Sequence, residues 1–367
     1  MKFTIWHVGG GGLDLGPVEK ILKLPGIQFE IYLFEIRTGD SGEVVTLHVQ
    51  QDNPNWEVKK VQIGLAGKSE TRDFYINKFE LSSSLLKPSS LTALDNPGFS
   101  KWGGIYKNMM TWGENTELDK VVKTNVTTVD EIIKAGLASS PDVLSMDIQG
   151  AELEVMQSSR LAFKDLIAVI TESEFFEIYS DQGLFDEQMA FLTDKSFRFV
   201  KFFGFQKWYP GPMVGKGFTT VTESLFIKYL VRSNQLMNTK KKFEEISDCP
   251  SDKLLRIALV AFAYERFSYF FTLMNGIEKT DSIFWKQIQN DKKFAVYFKY
   301  YYEIRDNLPK IAKNPDYFIK NPIGVNKNAH RILKVLYRTL EIFIGVFHVR
   351  GILLKIDQSK GIERSMD

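Results

Sequence analysis

Residues 141–157, PDVLSMDIQGAELEVMQ, decide how this chain is read. The apolar run 143–146 is that of a short buried strand, and it stops at Asp147. Gly150 permits a sharp turn, after which Ala151, Leu153 and Met156 begin a helical spacing. An acidic side chain at the carboxyl end of a buried strand, followed by a glycine turn, is where open α/β sheets place their chemistry. Glu152 and Glu154 fall in the expected first helical turn, where the helix dipole favours negative charge.

Outward from this stretch, the first 230 residues alternate strand and helix patterns. Residues 3–8 are an apolar strand ending in Gly9-Gly10-Gly11-Gly12, and 15–22 have helical spacing with Pro17 in the first turn. Residues 29–34 form a second strand ending at Glu35, and 61–66 a third ending at Ala66-Gly67. Residues 72–76 and 121–126 read as extended, 82–118 as a long loop, and 128–135 as a helix capped by Thr127 or Thr128. A strand at 166–170 ending near Glu172, a helix at 185–193 and strands at 197–203 and 224–229 complete the series. The fold class expected is α/β, a mostly parallel sheet covered on both faces. No crossover helix fits between the last two strands, so the final one is expected to run antiparallel. The intervening loop 204–220, with Trp208 and Tyr209, then lies on the ligand side of the sheet.

Past residue 231 the character changes. A polar segment, 238–252, precedes three helical patterns at 253–273, 282–304 and 329–354, rich in Phe and Tyr. Two domains are expected, 1–234 and a helical 235–367. Residues 1–234 carry 24 basic and 30 acidic side chains, and 235–367 carry 23 and 15. The basic half suits an acidic partner, or is a solvated lysine-rich surface. Its last pattern sets Arg331, Lys334 and Arg338 beside Leu333, Leu336 and Phe343, suited to peripheral membrane contact or to packing on the first domain. The aromatic stripes suit a core or a homodimer contact. A single cysteine, Cys249, excludes an intramolecular disulfide. No signal peptide or membrane-spanning run is visible, so the expected location is the cytoplasm, with the membrane's inner face as the peripheral site.

The glycines after strand one let a backbone approach a ligand, and Glu35 stands where an acidic side chain accepts ribose hydroxyls. A nicotinamide dinucleotide needs a pyrophosphate cradle, which Asp14 would repel. S-adenosylmethionine has no phosphate and carries positive charge, so nearby carboxylates favour it.

The segment Asp147-Ile148-Gln149-Gly150-Ala151-Glu152-Leu153-Glu154-Val155-Met156 resembles the signature of the FkbM-type S-adenosylmethionine-dependent methyltransferases. Val8-Gly9, Phe34-Glu35, residues 73–77 with Ser82-Ser83-Ser84, residues 127–131 and Ile170-Thr171-Glu172 are similar in order to other family segments. The resemblance covers roughly residues 3–230. It implies a Rossmann-like methyltransferase sheet and O-methylation of a hydroxyl, on a sugar of a surface glycan or a secondary metabolite. Cofactor contacts then fall to Gly9, Gly10, Gly11, Glu35, Ala66, Ser83 and Asp147, and substrate contacts to Gln149, Trp208 and Tyr209. Strands four and five are neighbours in such a sheet, so Asp147 and Glu172 meet at its carboxyl edge. Asp147 is the first candidate for general base, Glu172 the second and His7 a third. The two carboxylates also suit Mg2+. His7 and Leu13 depart from the family pattern, where an acidic residue and a glycine are usual. RNA or protein methylation, or a non-catalytic binding module, are the alternatives; no Asp/Asn-Pro-Pro-aromatic motif is present, and nucleic acid is not the expected partner.

Overall fold

Seven strands build the central sheet: β1 (Lys2–Gly9), β2 (Gln28–Phe34), β3 (Trp56–Val61), β4 (Val143–Asp147), β5 (Ala168–Glu174), β6 (Phe197–Phe202) and β7 (Val221–Lys228). The computed structural model describes residues 1–9, 15–36, 53–89, 99–100, 110–205, 207–208, 218–231 and 245–313. The strand order is β3-β2-β1-β4-β5-β7-β6. β1 pairs in parallel with β2 and β4, β2 with β3, and β4 with β5. β7 runs antiparallel to both β5 and β6, as the short connection requires. Strand order therefore reverses between β1 and β4, and a doubly wound sheet opens its ligand crevice at that switch point.

Side chains alternate between the two faces. Trp6, Val8, Phe34, Leu144, Met146 and Phe226 belong to one core cluster, which also contains Val129, Ile132, Val155, Met156 and Leu192 from the helices Val129–Lys134, Glu152–Ser158 and Phe185–Asp194. Thr128 is the cap of the first, its side chain accepting from the Glu131 amide. Ile5, Ile31, Val143, Ile170 and Leu225 are buried at the alternate positions. Helix Ser251–Ala263 packs against β7 and against the helix Glu19–Leu22.

A second, small sheet joins Gly64–Leu65, Leu118–Thr127 and Glu70–Asn77. The third main strand is thus Trp56–Val61, which shares only Val61 with the expected 61–66; Gly64–Leu65 is a strand of this other sheet. The edge position explains the miss. With a partner on only one side, β3 carries Glu57, Lys59 and Lys60, which blunt the edge and hide the apolar run.

The expected helix 253–273 is two, Ser251–Ala263 and Phe267–Thr280, because Glu265 adopts a left-handed backbone (φ 60°) that ends the first. The pattern 282–304 likewise divides into Ser282–Asn290, a turn of 3-10 helix and Ala295–Lys313. The pattern 329–354 lies outside the described residues. Met1–Ala295 forms one compact unit, so packing runs past the expected boundary at 234; Val296–Asp367 is a second unit. Arg256 makes the extension to 295 concrete: its Nη1 donates to the Lys2 carbonyl at 2.7 Å and to Asp142 Oδ2 at 2.8 Å. Among the described residues no helix is long and apolar enough to cross a membrane.

Leu259, fully buried on helix Ser251–Ala263, tests this extension of the core. Leu259→Ala should lower the unfolding free energy by about 2–5 kcal/mol, measured by denaturant unfolding of the full chain. A loss under about 0.5 kcal/mol, the range of surface changes, would show that the helix is not part of the sheet's core.

Candidate functional site

β1 and β4 end side by side, with Gly9 opposite Asp147 in the register. Gly9 has φ +80°, and a Cβ built on it would stand 2.0 Å from the Asp147 carbonyl oxygen, so no other residue fits. Beyond Asp147 the chain reverses through two left-handed residues, Gln149 (φ 59°) and Gly150 (φ 102°). Glu152 closes this turn. Its Oε1 accepts from the Ile148 amide at 2.8 Å and its Oε2 from the Gly150 amide at 2.9 Å, and the side chain is fully buried. Glu152 and Glu154 both stand in the first helical turn, as expected; Glu152 folds back into the preceding turn, and Glu154 pairs with Arg72 at 2.5 Å.

A pocket of roughly 500 Å³, part of it open to solvent, lies over these strand ends. Gly9, Glu35, Asp147 and Gln149 line it from the main sheet. Leu65, Phe74, Ser83 and Leu85 line it from the small sheet and the turn that follows. None of the lining residues is Lys, Arg or His.

Gln149 organises the polar wall. Its Nε2 donates to Asp147 Oδ1 at 2.6 Å and to Glu172 Oε2 at 2.8 Å, using both amide protons. Its Oε1 lies 3.0 Å from the Tyr179 hydroxyl, whose proton is shared with the Ser82 carbonyl at 2.7 Å. The backbone carbonyl of Gln149 accepts from Ser84 Oγ at 2.7 Å. Behind this wall, Glu172 and Glu174 are buried on β5, and the Glu172 carbonyl accepts from Gln188 Nε2. Burial foremost, then the neighbouring carboxylates, hold Glu172 and Glu174 well above the ordinary range; burial pushes Glu152 up to about 7.

Residues 19–199 match the methyltransferase FkbM domain. The chain carries an FkbM methyltransferase domain. A solved structure of methyltransferase FkbM from Methylobacillus flagellatus KT is similar over 61% of this chain and 44% of that one, at 12% identity and a TM-score of 0.32. The chain thus covers less than half of that protein's length. No curated protein matches the sequence. β1 with Gly9 precedes the matched span of the FkbM domain and β7 follows it; the sheet register joins both to it.

Of the residues expected at the site, Gly9, Glu35, Ser83, Asp147 and Gln149 line one pocket. Glu172 stands directly behind it through Gln149. Ala66 does not line it; the two residues before it, Gly64 and Leu65, do, because the strand containing them turns away to pair with Leu118–Thr127. His7 is buried in β1 with Nδ1 3.1 Å from Ser145 Oγ on β4, two residues below the strand end and outside the pocket lining. Trp208 falls in a short strand paired with Phe218–Thr219. Gly10, Gly11 and Tyr209 lie outside the described residues. Among the described residues no three His, Cys, Asp or Glu side chains are arranged to hold a metal ion, and an amide nitrogen stands between Asp147 and Glu172.

Glu174 and Tyr179 were not singled out, and Glu152 was read only as an acid of the first helical turn. The i, i+2 spacing of Glu172 and Glu174 in an apolar strand is the available signal, since it sends both to one face.

Two outcomes follow. Gly9→Ala should cost at least about 1–3 kcal/mol from backbone strain alone, read as a lowered denaturant midpoint; an unchanged midpoint would contradict the close approach. Glu152, Glu172 and Glu174 bind protons more tightly folded than unfolded, so their stabilisation is full below about pH 4.5 and fades as pH rises through about 7. The denaturant midpoint should therefore be higher at about pH 5 than at about pH 8, with Glu174→Gln shrinking the difference. A midpoint that climbs over this window and ignores the substitution would refute the assignment.

Proposed function

We propose that this chain transfers a methyl group from S-adenosylmethionine to a hydroxyl, on a sugar of a surface glycan or on a secondary metabolite. The observation that carries the reading is the lining of the pocket at the switch point: among the described residues it holds two carboxylates, Glu35 and Asp147, and no basic side chain. A phosphate-bearing nucleotide would find no neutralising partner among these described residues, whereas a cationic one meets negative charge. The family match supports the same class of reaction.

Glu35, at the end of β2, would hold the ribose hydroxyls, and Ile36, Leu65, Phe74 and Leu85 offer apolar contact for the base. Gly9 lets the strand ends close up beneath the pocket, since a side chain there would strike the Asp147 carbonyl. When bound, the cofactor supplies a methyl on positively charged sulfur; transfer breaks the sulfur–carbon bond, forms the oxygen–carbon bond and frees the hydroxyl proton. Asp147 stands at the pocket wall to take that proton, and Gln149 fixes its carboxylate in one orientation. Ser83 and Gln149 are the remaining polar groups available to orient an acceptor.

Calorimetric titration with S-adenosylmethionine should show binding, and Glu35→Ala should weaken it about 10- to 100-fold, the worth of a charged hydrogen bond. Asp147→Asn should retain binding while lowering kcat about 10²- to 10⁴-fold, followed by mass spectrometry of a panel of hydroxylated glycans. Full turnover by Asp147→Asn would remove the assigned base, and lack of any cofactor binding would end the enzymatic reading.

A further inference from the structure

We propose that Glu172 is a positioning residue that keeps a proton in reserve behind the pocket wall, releasing it when a positively charged ligand arrives. The inference rests on the functional reading above. Asp147 and Gln149 reach the pocket, whereas Glu172 does not line it and meets Asp147 both directly, carboxyl to carboxyl, and through the amide of Gln149.

Four carboxyl groups converge here from three directions: Asp147 at the end of β4, Glu152 from the following helix, and Glu172 and Glu174 from β5. The Tyr179 hydroxyl faces them from beyond β5, and burial foremost, then their charges, pushes its own ionisation well up. Among the described residues none of the four carboxyl groups is paired with a lysine, arginine or histidine. Gln182, an uncharged amide, is the side chain that meets Glu174. So many unneutralised charges cannot coexist in a buried volume, and the group retains protons at neutral pH. The direction of the shifts at Glu152, Glu172 and Glu174 agrees with this.

The protein thus omits the positive charge that its wall would need to ionise fully. A sulfonium beside Asp147 supplies that charge, and the carboxyl group gives up a proton in response. In the reaction, the electron pair of the broken sulfur–carbon bond stays on sulfur, and the proton of the acceptor hydroxyl returns to the carboxylates. The wall therefore loses one negative charge in the same step that removes the positive charge from sulfur. The total charge of pocket and contents is unchanged.

Titration of the full chain near neutral pH with S-adenosylmethionine, and separately with S-adenosylhomocysteine, in two buffers of different ionisation enthalpy counts the protons exchanged. The two ligands differ in the methyl group and its positive charge, so their common amino and carboxyl groups cancel. S-adenosylmethionine should release about one proton more than S-adenosylhomocysteine. Glu172→Gln should bring that excess close to zero while S-adenosylhomocysteine still binds within a few-fold. Equal proton counts for the two ligands on the unsubstituted chain would overturn the proposal whether or not the variant folds. An excess that survives Glu172→Gln would also overturn it. Binding of neither ligand would instead sink the functional reading, and this inference with it.

Discussion

The approach of Gly9 to the Asp147 carbonyl governs the rest of the site. β1 and β4 are buried on both faces, so a register slip of one residue would turn every side chain of either strand to the wrong core. The register therefore holds Gly9 against Asp147, and only a residue without a Cβ can occupy that place. Because β1 and β4 part to opposite sides of the sheet from here, the same contact marks the crevice. The turn after Asp147 then has one direction left to it, through the left-handed Gln149 and Gly150.

A non-glycine residue in that conformation costs about 1–3 kcal/mol and persists only where its surroundings over-determine it. Gln149 is held at its carbonyl by Ser84, at its amide oxygen by Tyr179 and at its amide nitrogen by two carboxylates. Ser84 is itself positioned by paired backbone hydrogen bonds with Tyr75 on the small sheet. The small sheet thus has two duties, walling the pocket with Phe74 and Leu85 and pinning the residue that joins Asp147 to Glu172. The buried carboxyl groups weigh against stability, which identifies the wall as a place where the fold gives up stability for chemistry.

What could be read in the sequence was what burial on both faces dictates. Residues 143–147 form a buried, mostly apolar strand with an acid at its end, and no helix fits before residues 221–228, so β4 and the antiparallel β7 were legible. β3 was not, because an edge strand alternates charged with apolar side chains and resembles a polar loop. The place of Glu152 in the first helical turn was legible, and its partners were not. The spacing D-x-Q-G-x-E places it in a first helical turn, and nothing in the spacing says that it folds back onto the Ile148 and Gly150 amides. The break at Glu265 was hidden because Phe262, Phe267 and Phe270 keep up the aromatic density across it and pack on one another. Of the serine cluster, Ser83 was foreseen at the pocket, while the role of Ser84 depends on a tertiary contact with Gln149 65 residues away.

The helices after β7 bear on the site from its far end. Arg256 binds the Lys2 carbonyl and Asp142, and Asp142 also accepts from the Thr4 amide. Lys2 and Thr4 belong to the first turns of β1, and Asp142 immediately precedes β4. Tyr264 adds a hydrogen bond to the Pro17 carbonyl, in the turn of 3-10 helix that leads into helix Glu19–Leu22. β1 and β4 are therefore tied together at their amino ends by an arginine and at their carboxyl ends by the Gly9–Asp147 contact. A displacement of one strand against the other must break the ion pair at one end or drive backbone into backbone at the other. The precision of the pocket floor is in this sense a property of the whole unit from Met1 to Ala295, which is why the core does not end where the strands do.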